Sequence, residues 1–217
     1  MQPNMVMIAR RTMLAGMAAG MAAPGRAAVP TEDLAFRVTR NGSEIGRHTV
    51  AFERTGGDLT VRIAVDIRVG FGPVTLYRYT LRATEHWRDG VLMAAEGDTN
   101  DDGSKDFLRL SRQDMALVVE GSAAPRFTAP AECLCASHWN RAELAAPMVN
   151  IQNGELLRFT VTSAGQERVD VGGRTVMAEH HVLDGKSRLD IWYDDRGAWS
   201  ALRAAAKDGS AIDYTRI

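Results

Sequence analysis

Cys133, Cys135 and His138 are three residues with reactive or metal-binding side chains that lie close together in the sequence. Two thiols one residue apart form a strained and reducible disulfide if they pair. The spacing Cys-x-Cys-x-x-His also supplies three of the four ligands of a structural zinc site. A pair of ordinary thiols is the third interpretation. The sequence leaves all three open, and Cys133 with Cys135 is the candidate disulfide.

A second cluster of polar side chains has the spacing of calcium ligands. Asp98, Asn100, Asp102 and Asp106 occupy the first, third, fifth and ninth places of a calcium-binding loop. The twelfth place, where a bidentate glutamate closes the coordination shell, is Arg109. Asp and Asn also hydrogen-bond their own backbone in tight turns. We therefore predict a polar hairpin turn, with a cation site as the alternative and no resident metal.

Aromatic and acidic residues alternate along a third segment. Tyr77, Tyr79, Glu85 and Trp87 share one parity, so in a β-strand they point to the same face. A carboxylate on a dry face pairs with an arginine or a hydroxyl, or its pKa rises, and for Glu85 we expect an ion pair. Trp192 ends another predicted strand before a turn, where a ring borders the core. These five residues are the predicted ligand-binding residues, and no catalytic residue is predicted.

The elements that position these side chains are β-strands. Apolar and polar residues alternate from Leu59 to Gly70, the pattern of a strand with one buried face. Asn-Gly, Asp-Gly and Gly-Gly pairs recur at short intervals and favour tight antiparallel hairpins. We expect an all-β fold, a single antiparallel, strongly curved sheet or open barrel of about ten to twelve strands. Residues 121–154, which contain three prolines, are predicted to form an irregular crossing loop or lid.

The first 27 residues have the composition of an export signal. Arg10 and Arg11 precede an apolar stretch that is shorter than a membrane-spanning helix, and Ala27 follows small residues that suit cleavage. The paired arginines resemble a twin-arginine signal. Cleavage leaves 28–217 as a single antiparallel domain. We expect a periplasmic protein that meets the twin-arginine export machinery and has no transmembrane helix in its mature form.

Charge excludes one class of partner. The whole chain has a formal net charge of −1, and removal of the arginine-rich leader makes the remainder more acidic. A chain without a basic excess gives no electrostatic basis for binding nucleic acid.

Several short motifs spread over the chain resemble a family of uncharacterised exported proteobacterial proteins, a domain of unknown function. The resemblance implies a fold similar to the lipoprotein carriers of the envelope, in which a curved antiparallel sheet wraps an apolar hollow under a lid. The motifs are Gly42-Ser43-Glu44-Ile45-Gly46 with His48, Leu76-Tyr77-Arg78-Tyr79, Glu85-His86-Trp87-Arg88-Asp89-Gly90, Thr99-Asn100-Asp101-Asp102-Gly103, Trp139-Asn140, Asp190-Ile191-Trp192-Tyr193-Asp194 and Asp208-Gly209-Ser210.

Together these patterns favour a periplasmic binding or carrier protein for a lipid or other apolar small molecule, with no cofactor. Two alternatives remain at this point. One is a cell-envelope enzyme or metalloprotein that uses Cys133, Cys135 and His138. The other is a non-catalytic assembly protein.

Overall fold

The computed structural model describes residues 30–71 and 74–217. The predicted signal, residues 1–27, lies outside the described residues. Extended structure dominates, and the only helix within the described ranges is a 3₁₀ helix, Arg141–Ala145. No helix of the described part has the length and apolar character needed to cross a bilayer. The predicted all-β class is confirmed.

Sixteen strands follow one another along the chain. The first eight are β1 (Leu34–Arg40), β2 (Ser43–Thr55), β3 (Asp58–Phe71), β4 (Val74–Arg88), β5 (Val91–Asp101), β6 (Ser104–Gln113), β7 (Ala116–Gly121) and β8 (Ala124–Ala129). The others are β9 (Leu134–Cys135), β10 (Met148–Val149), β11 (Leu156–Leu157), β12 (Thr160–Val171), β13 (Arg174–Asp184), β14 (Leu189–Asp194), β15 (Trp199–Ala205) and β16 (Ala211–Arg216).

Thirteen strands form one sheet in the order β12-β13-β14-β15-β16-β1-β2-β3-β4-β5-β6-β7-β8. Every neighbouring pair in it is antiparallel. Strand β1 therefore lies in the middle of the sheet. From β1 the chain runs outward to β8, crosses over, and returns from β12 to pair β16 with β1. A sheet of this many twisted strands coils strongly, as expected. Its strand number slightly exceeds the predicted ten to twelve.

Asn-Gly and Asp-Gly pairs make tight hairpins, as predicted. Asn41 and Gly42 have φ values of 48° and 82°, and Asp102 and Gly103 have values of 51° and 98°. Two consecutive residues with positive φ match the right-handed twist of the strands they join. These residue pairs thus specify the tight turns between neighbouring strands of the sheet.

The residues between the two halves of the sheet are more ordered than expected. We predicted an irregular segment over 121–154, but β8 extends the sheet to Ala129, because Ala124–Ala129 forms a hairpin with β7. The connection, which we call the crossing segment, comprises residues 130–159. Its strands β9, β10 and β11 form a small second sheet in which β9 and β10 are parallel.

The crossing segment packs into the concave face of the large sheet. Trp139 is fully buried, with its ring centroid 5.4 Å from the ring centroids of both Phe52 and Trp87. Cys133 and Val149 are also fully buried. The crossing segment therefore supplies the second layer that an antiparallel sheet with one apolar face requires.

Gly97 on β5 permits the closest approach of the crossing segment to the sheet. A Cβ atom at this position would lie 2.1 Å from the carbonyl oxygen of Ile151. A glycine is required here because backbone, unlike the end of a flexible side chain, cannot move aside at low cost.

We expect Gly97→Ala to lower the free energy of unfolding by about 3 kcal/mol, because the added methyl group overpacks against backbone. Gly103→Ala is the control, since its Cβ would meet nothing within 4 Å. Its cost is limited to the left-handed backbone conformation, about 1 kcal/mol. Urea denaturation of both variants measures the difference. Equal losses would contradict a close approach at Gly97.

Candidate functional site

A cavity of about 380 Å³ remains between the concave face of the sheet and the crossing segment. This volume lies within the range of small-molecule sites, roughly 300–1,000 Å³. Strands from both halves of the sheet contribute aliphatic side chains to its wall, and so does the crossing segment. Examples are Ile63, Val65, Leu81, Ile151, Leu157 and Leu202. The sheet is therefore only partly filled by its own chain, and the remaining space is mostly apolar.

Trp199 marks a polar end of this cavity. Its ring centroid lies 5.1 Å from that of His48 on β2 and 5.5 Å from that of His138 in the crossing segment. All three side chains line the cavity. Two imidazoles from distant parts of the chain thus flank one indole at the junction of the sheet and the crossing segment.

His48 is buried with an unused hydrogen-bonding atom. Its Nε2 has no hydrogen-bond partner among the residues that the structure describes. The rings of Phe36 and Tyr214, with centroids 5.9 and 5.8 Å away, enclose it further. Burial, with a contribution from nearby His138, lowers the pKa of His48 to about 3, so the imidazole is neutral at pH 7. Leaving a buried polar atom unpaired is costly, so this atom is a candidate for a hydrogen bond with a ligand.

His138 is held in a fixed orientation by a buried carboxylate. Its Nδ1 lies 2.7 Å from Oε1 of Glu143, and the backbone N–H groups of Ser137 and His138 donate to Oε2. The hydroxyl of Tyr193 donates to Oε1 and to the carbonyl oxygen of His138. Because a carboxylate accepts, Nδ1 carries the hydrogen. The other ring nitrogen, Nε2, is then the free position on a ring that lines the cavity.

The backbone of His138 is strained, with a φ of 69° that non-glycine residues rarely adopt. Such strain persists only where surrounding contacts impose it, and it concentrates at functional sites. Here Glu143 imposes it by bonding both the backbone and the ring of His138. No Ser, Thr or Cys in the described ranges forms a hydrogen bond with Nε2 of His138.

Both the sequence and the fold of this chain have counterparts among known proteins. The sequence profile of a family described as a domain of unknown function, DUF6134, matches residues 36–217. The chain belongs to the DUF6134 family. A comparison with curated proteins gives no match. The predicted membership of a family of unknown function is confirmed, whereas its proteobacterial origin and export remain predictions.

A solved structure resembles this DUF6134 protein over most of its length. It is the crystal structure of a β-barrel-like protein of the domain of unknown function DUF1849 from Brucella abortus. The two superpose with a TM-score of 0.60 and 11% sequence identity, over 85% of this chain and 94% of that chain. At this identity the likeness shows a shared β-barrel-like fold and no shared activity.

The five predicted ligand-binding residues of the DUF6134 protein separate into three places. Tyr77 and Tyr79 line the cavity. Burial raises the pKa of the Tyr79 phenol far above its usual value, so its hydroxyl stays protonated. Trp192 lies outside, because successive residues alternate between faces and Tyr193 takes the inner one. The indole of Trp192 stacks on His180 with centroids 4.4 Å apart.

Glu85 and Trp87 form the third group, which fixes the crossing segment. The carboxylate Oε2 of Glu85 accepts hydrogen bonds from the indole N–H groups of Trp87 and Trp139, both at 2.9 Å. Glu85 is fully buried, and no cation pairs with it within the described part of the chain. Its carboxylate joins the sheet to the crossing segment and does not line the cavity. The expected ion pair is replaced by two indole donors.

The residues with the spacing of calcium ligands, 98–106, lie in the hairpin formed by β5 and β6. Oδ1 of Asn100 accepts from the backbone of Gly103, and Asp98 pairs with Arg109 at 2.8 Å. Asp102 accepts from the backbone N–H of Arg78, and Asp106 accepts from the hydroxyl of Ser122. These oxygens therefore serve the turn and its neighbours. No cluster with the composition of a metal site occurs in residues 30–71 and 74–217.

Cys133 and Cys135 are both buried, free thiols. Burial raises the pKa of Cys133 to about 11 and that of Cys135 well above its usual value, so both remain protonated and unreactive. The structure contains the unpaired form, one of the three alternatives. His138 turns its Nδ1 to Glu143 and does not form a site with the two thiols.

Sequence reasoning missed Glu143 and assigned no role to His48 or His138 in a cavity. The only local signal for Glu143 is its place three residues after Asn140, the spacing of a helix N-terminus. Asn140 does cap the 3₁₀ helix by accepting from Ala142. Glu143, however, turns toward His138, and that contact depends on tertiary structure.

Glu85 gives a prediction about pH. Burial raises the pKa of this carboxyl to about 7, a rise that nearby Glu143 increases and that donors from Ser137, Trp139 and Trp87 limit. The folded state therefore favours the protonated form. Its contribution to stability is fully present below pH 4.5 and decreases as pH rises to about 7, by about 3 kcal/mol in total.

We expect Glu85→Gln to remove this loss. Between pH 4.5 and 7.5, the variant's free energy of unfolding should fall by about 3 kcal/mol less than that of the wild-type protein. Urea denaturation at both pH values measures this difference, and other titrating groups, including His48, cancel between the two proteins. Parallel pH profiles would show that Glu85 does not titrate as a buried group.

Proposed function

We propose that this protein binds or carries an apolar small molecule in the cavity between the sheet and the crossing segment. A single observation carries the proposal: a hollow of about 380 Å³ whose walls are aliphatic and aromatic, with a few polar atoms at one end. Apolar lining with a small number of placed polar groups is the usual composition of a ligand site.

The form of the cavity supports a binding role more than a packing defect. Its wall includes residues from β3, β4, β15 and β16 as well as from the crossing segment, so it lies at the junction of all the major parts of the fold. The cavity opens to solvent, so its apolar walls are in part exposed to water. Leaving apolar surface exposed costs stability if it has no use. A ligand that binds the folded state would recover that loss.

Ala204 offers a direct test, because its small side chain lines the cavity on β15. We expect Ala204→Trp to fill the space and to weaken binding of N-phenyl-1-naphthylamine, an uncharged apolar fluorophore, at least tenfold. Fluorescence titration measures the dissociation constant, and native mass spectrometry detects any co-purifying ligand.

Ala123→Trp is the matched control, since Ala123 is exposed in the turn between β7 and β8. It should bind the fluorophore as the wild-type protein does. Circular dichroism confirms that both variants are folded. If the wild-type protein neither binds the fluorophore nor retains any ligand, the proposal fails.

The proposal includes a location, the periplasm, reached by the twin-arginine route. Its support is the sequence alone, Arg10-Arg11 before a short apolar stretch. We expect the double substitution Arg10→Lys and Arg11→Lys to keep the protein in the cytoplasm of a bacterial host. Arg26→Lys is the control and should leave export unchanged. Immunoblots of cell fractions measure the distribution, and unchanged export of the double variant would contradict this route.

A further inference from the structure

The apolar walls and the polar end of the cavity differ in what they reveal about the ligand. Aliphatic side chains accept any apolar chain of suitable length, so they do not identify a ligand. Polar atoms that have lost water and found no partner do identify one, because a ligand that satisfies them recovers their desolvation cost. Nε2 of His48 is such an atom, and the ring of His138 lines the same cavity.

The charges around this end disfavour an anionic group. His48 is neutral at pH 7 because burial lowers its pKa to about 3. The carboxylate of Glu143 lies directly behind His138, and a second buried carboxyl group, that of Glu85, faces the same part of the crossing segment. A ligand carboxylate placed between the imidazoles would lie near the carboxyl group of Glu143, which disfavours a second negative charge there.

Among the described residues that line the cavity, Arg188 has the only guanidinium or ammonium group, and that group pairs with Asp190. Both guanidinium contacts go to Asp190, at 3.2 Å, and its side chain is 62% exposed. Arg188 therefore lies at the solvent side of the cavity. Because Asp190 already balances the positive charge of Arg188, that charge is not available to neutralise a buried anion.

The imidazoles instead suit a group that both donates and accepts a hydrogen bond. Glu143 occupies Nδ1 of His138, so Nε2 is the ring nitrogen left for a hydrogen bond with a ligand. The neutral ring of His48 presents an unpaired Nε2, which donates or accepts according to its tautomer. A hydroxyl group meets both demands at once, since it has one donor and two acceptor lone pairs.

We propose that the bound molecule is an uncharged apolar compound with a terminal hydroxyl group, and that this hydroxyl lies between His48 and His138 beside Trp199. The inference rests on the proposed function, because it assumes that the cavity is a ligand site. Its content is the chemical class of the ligand: an aliphatic alcohol is preferred to a carboxylate, to an amine and to a plain alkane.

A matched set of ten-carbon probes tests the preference: decan-1-ol, decanoic acid, decylamine and decane, each used to displace N-phenyl-1-naphthylamine at pH 7.5. We expect decan-1-ol to bind about tenfold to a hundredfold more tightly than decane, the range for satisfying a buried polar atom. Decanoic acid and decylamine should also bind at least tenfold more weakly than the alcohol.

His48→Phe separates recognition from packing. Phenylalanine keeps an aromatic ring of similar size among the rings of Phe36, Trp199 and Tyr214, but it removes Nε2. We expect this variant to bind decan-1-ol and decane with equal affinity. His86→Phe replaces an exposed imidazole of the outer face and should keep the wild-type preference.

The possible results discriminate between the two proposals. If the fluorophore binds but decanoic acid, decylamine or decane equals or exceeds the alcohol, the hydroxyl assignment is overturned and the binding function stands. If His48→Phe retains the preference for the alcohol, the assignment to His48 is overturned. If neither the fluorophore nor any probe binds the wild-type protein, the binding function itself is wrong.

Discussion

The carboxylate of Glu85 ties the crossing segment to the large sheet, and the arrangement of the cavity depends on that contact. One oxygen accepts from the indole of Trp87 on the sheet and from the indole of Trp139 in the crossing segment. Burying a carboxyl group has a large desolvation cost, so the contact persists only with its donors in place. Once Trp139 is fixed, its neighbour His138 is held within reach of Glu143 and of the cavity.

The cavity follows from a mismatch between the sheet and the segment that covers it. A sheet of thirteen coiled strands encloses a large concave surface, whereas residues 130–159 are too few to cover all of it. The crossing segment packs most tightly near Trp139 and Gly97, where rings and backbone meet the sheet. Away from these contacts, aliphatic side chains of β3 and β15 line the cavity.

Polar groups at the edge of that space are arranged at a conformational cost. His138 adopts a left-handed backbone because Glu143 bonds both its N–H and its ring. His48 is sealed among aromatic rings with Nε2 unpaired. A fold selected for stability alone would replace both with apolar side chains. Their presence at the cavity supports the proposed binding of a molecule with a polar end.

The local features of this fold follow from neighbouring residues in the sequence. Alternation from Leu59 to Val65 specified a strand with one buried face, and Asn41-Gly42 and Asp102-Gly103 specified hairpins, because side-chain parity and positive φ are properties of neighbouring residues. The same parity put Tyr77, Tyr79, Glu85 and Trp87 on the inner face of β4.

Packing between distant segments fixes which residues of the inner face contact each other. Glu85 is separated by fifty-four positions from Trp139, and Tyr193 by fifty from Glu143, so no local pattern reveals these pairs. The division of β4 into a part that lines the cavity and a part that holds the crossing segment has the same origin. It is set by where a distant segment packs, and that packing depends on the shape of the complete sheet.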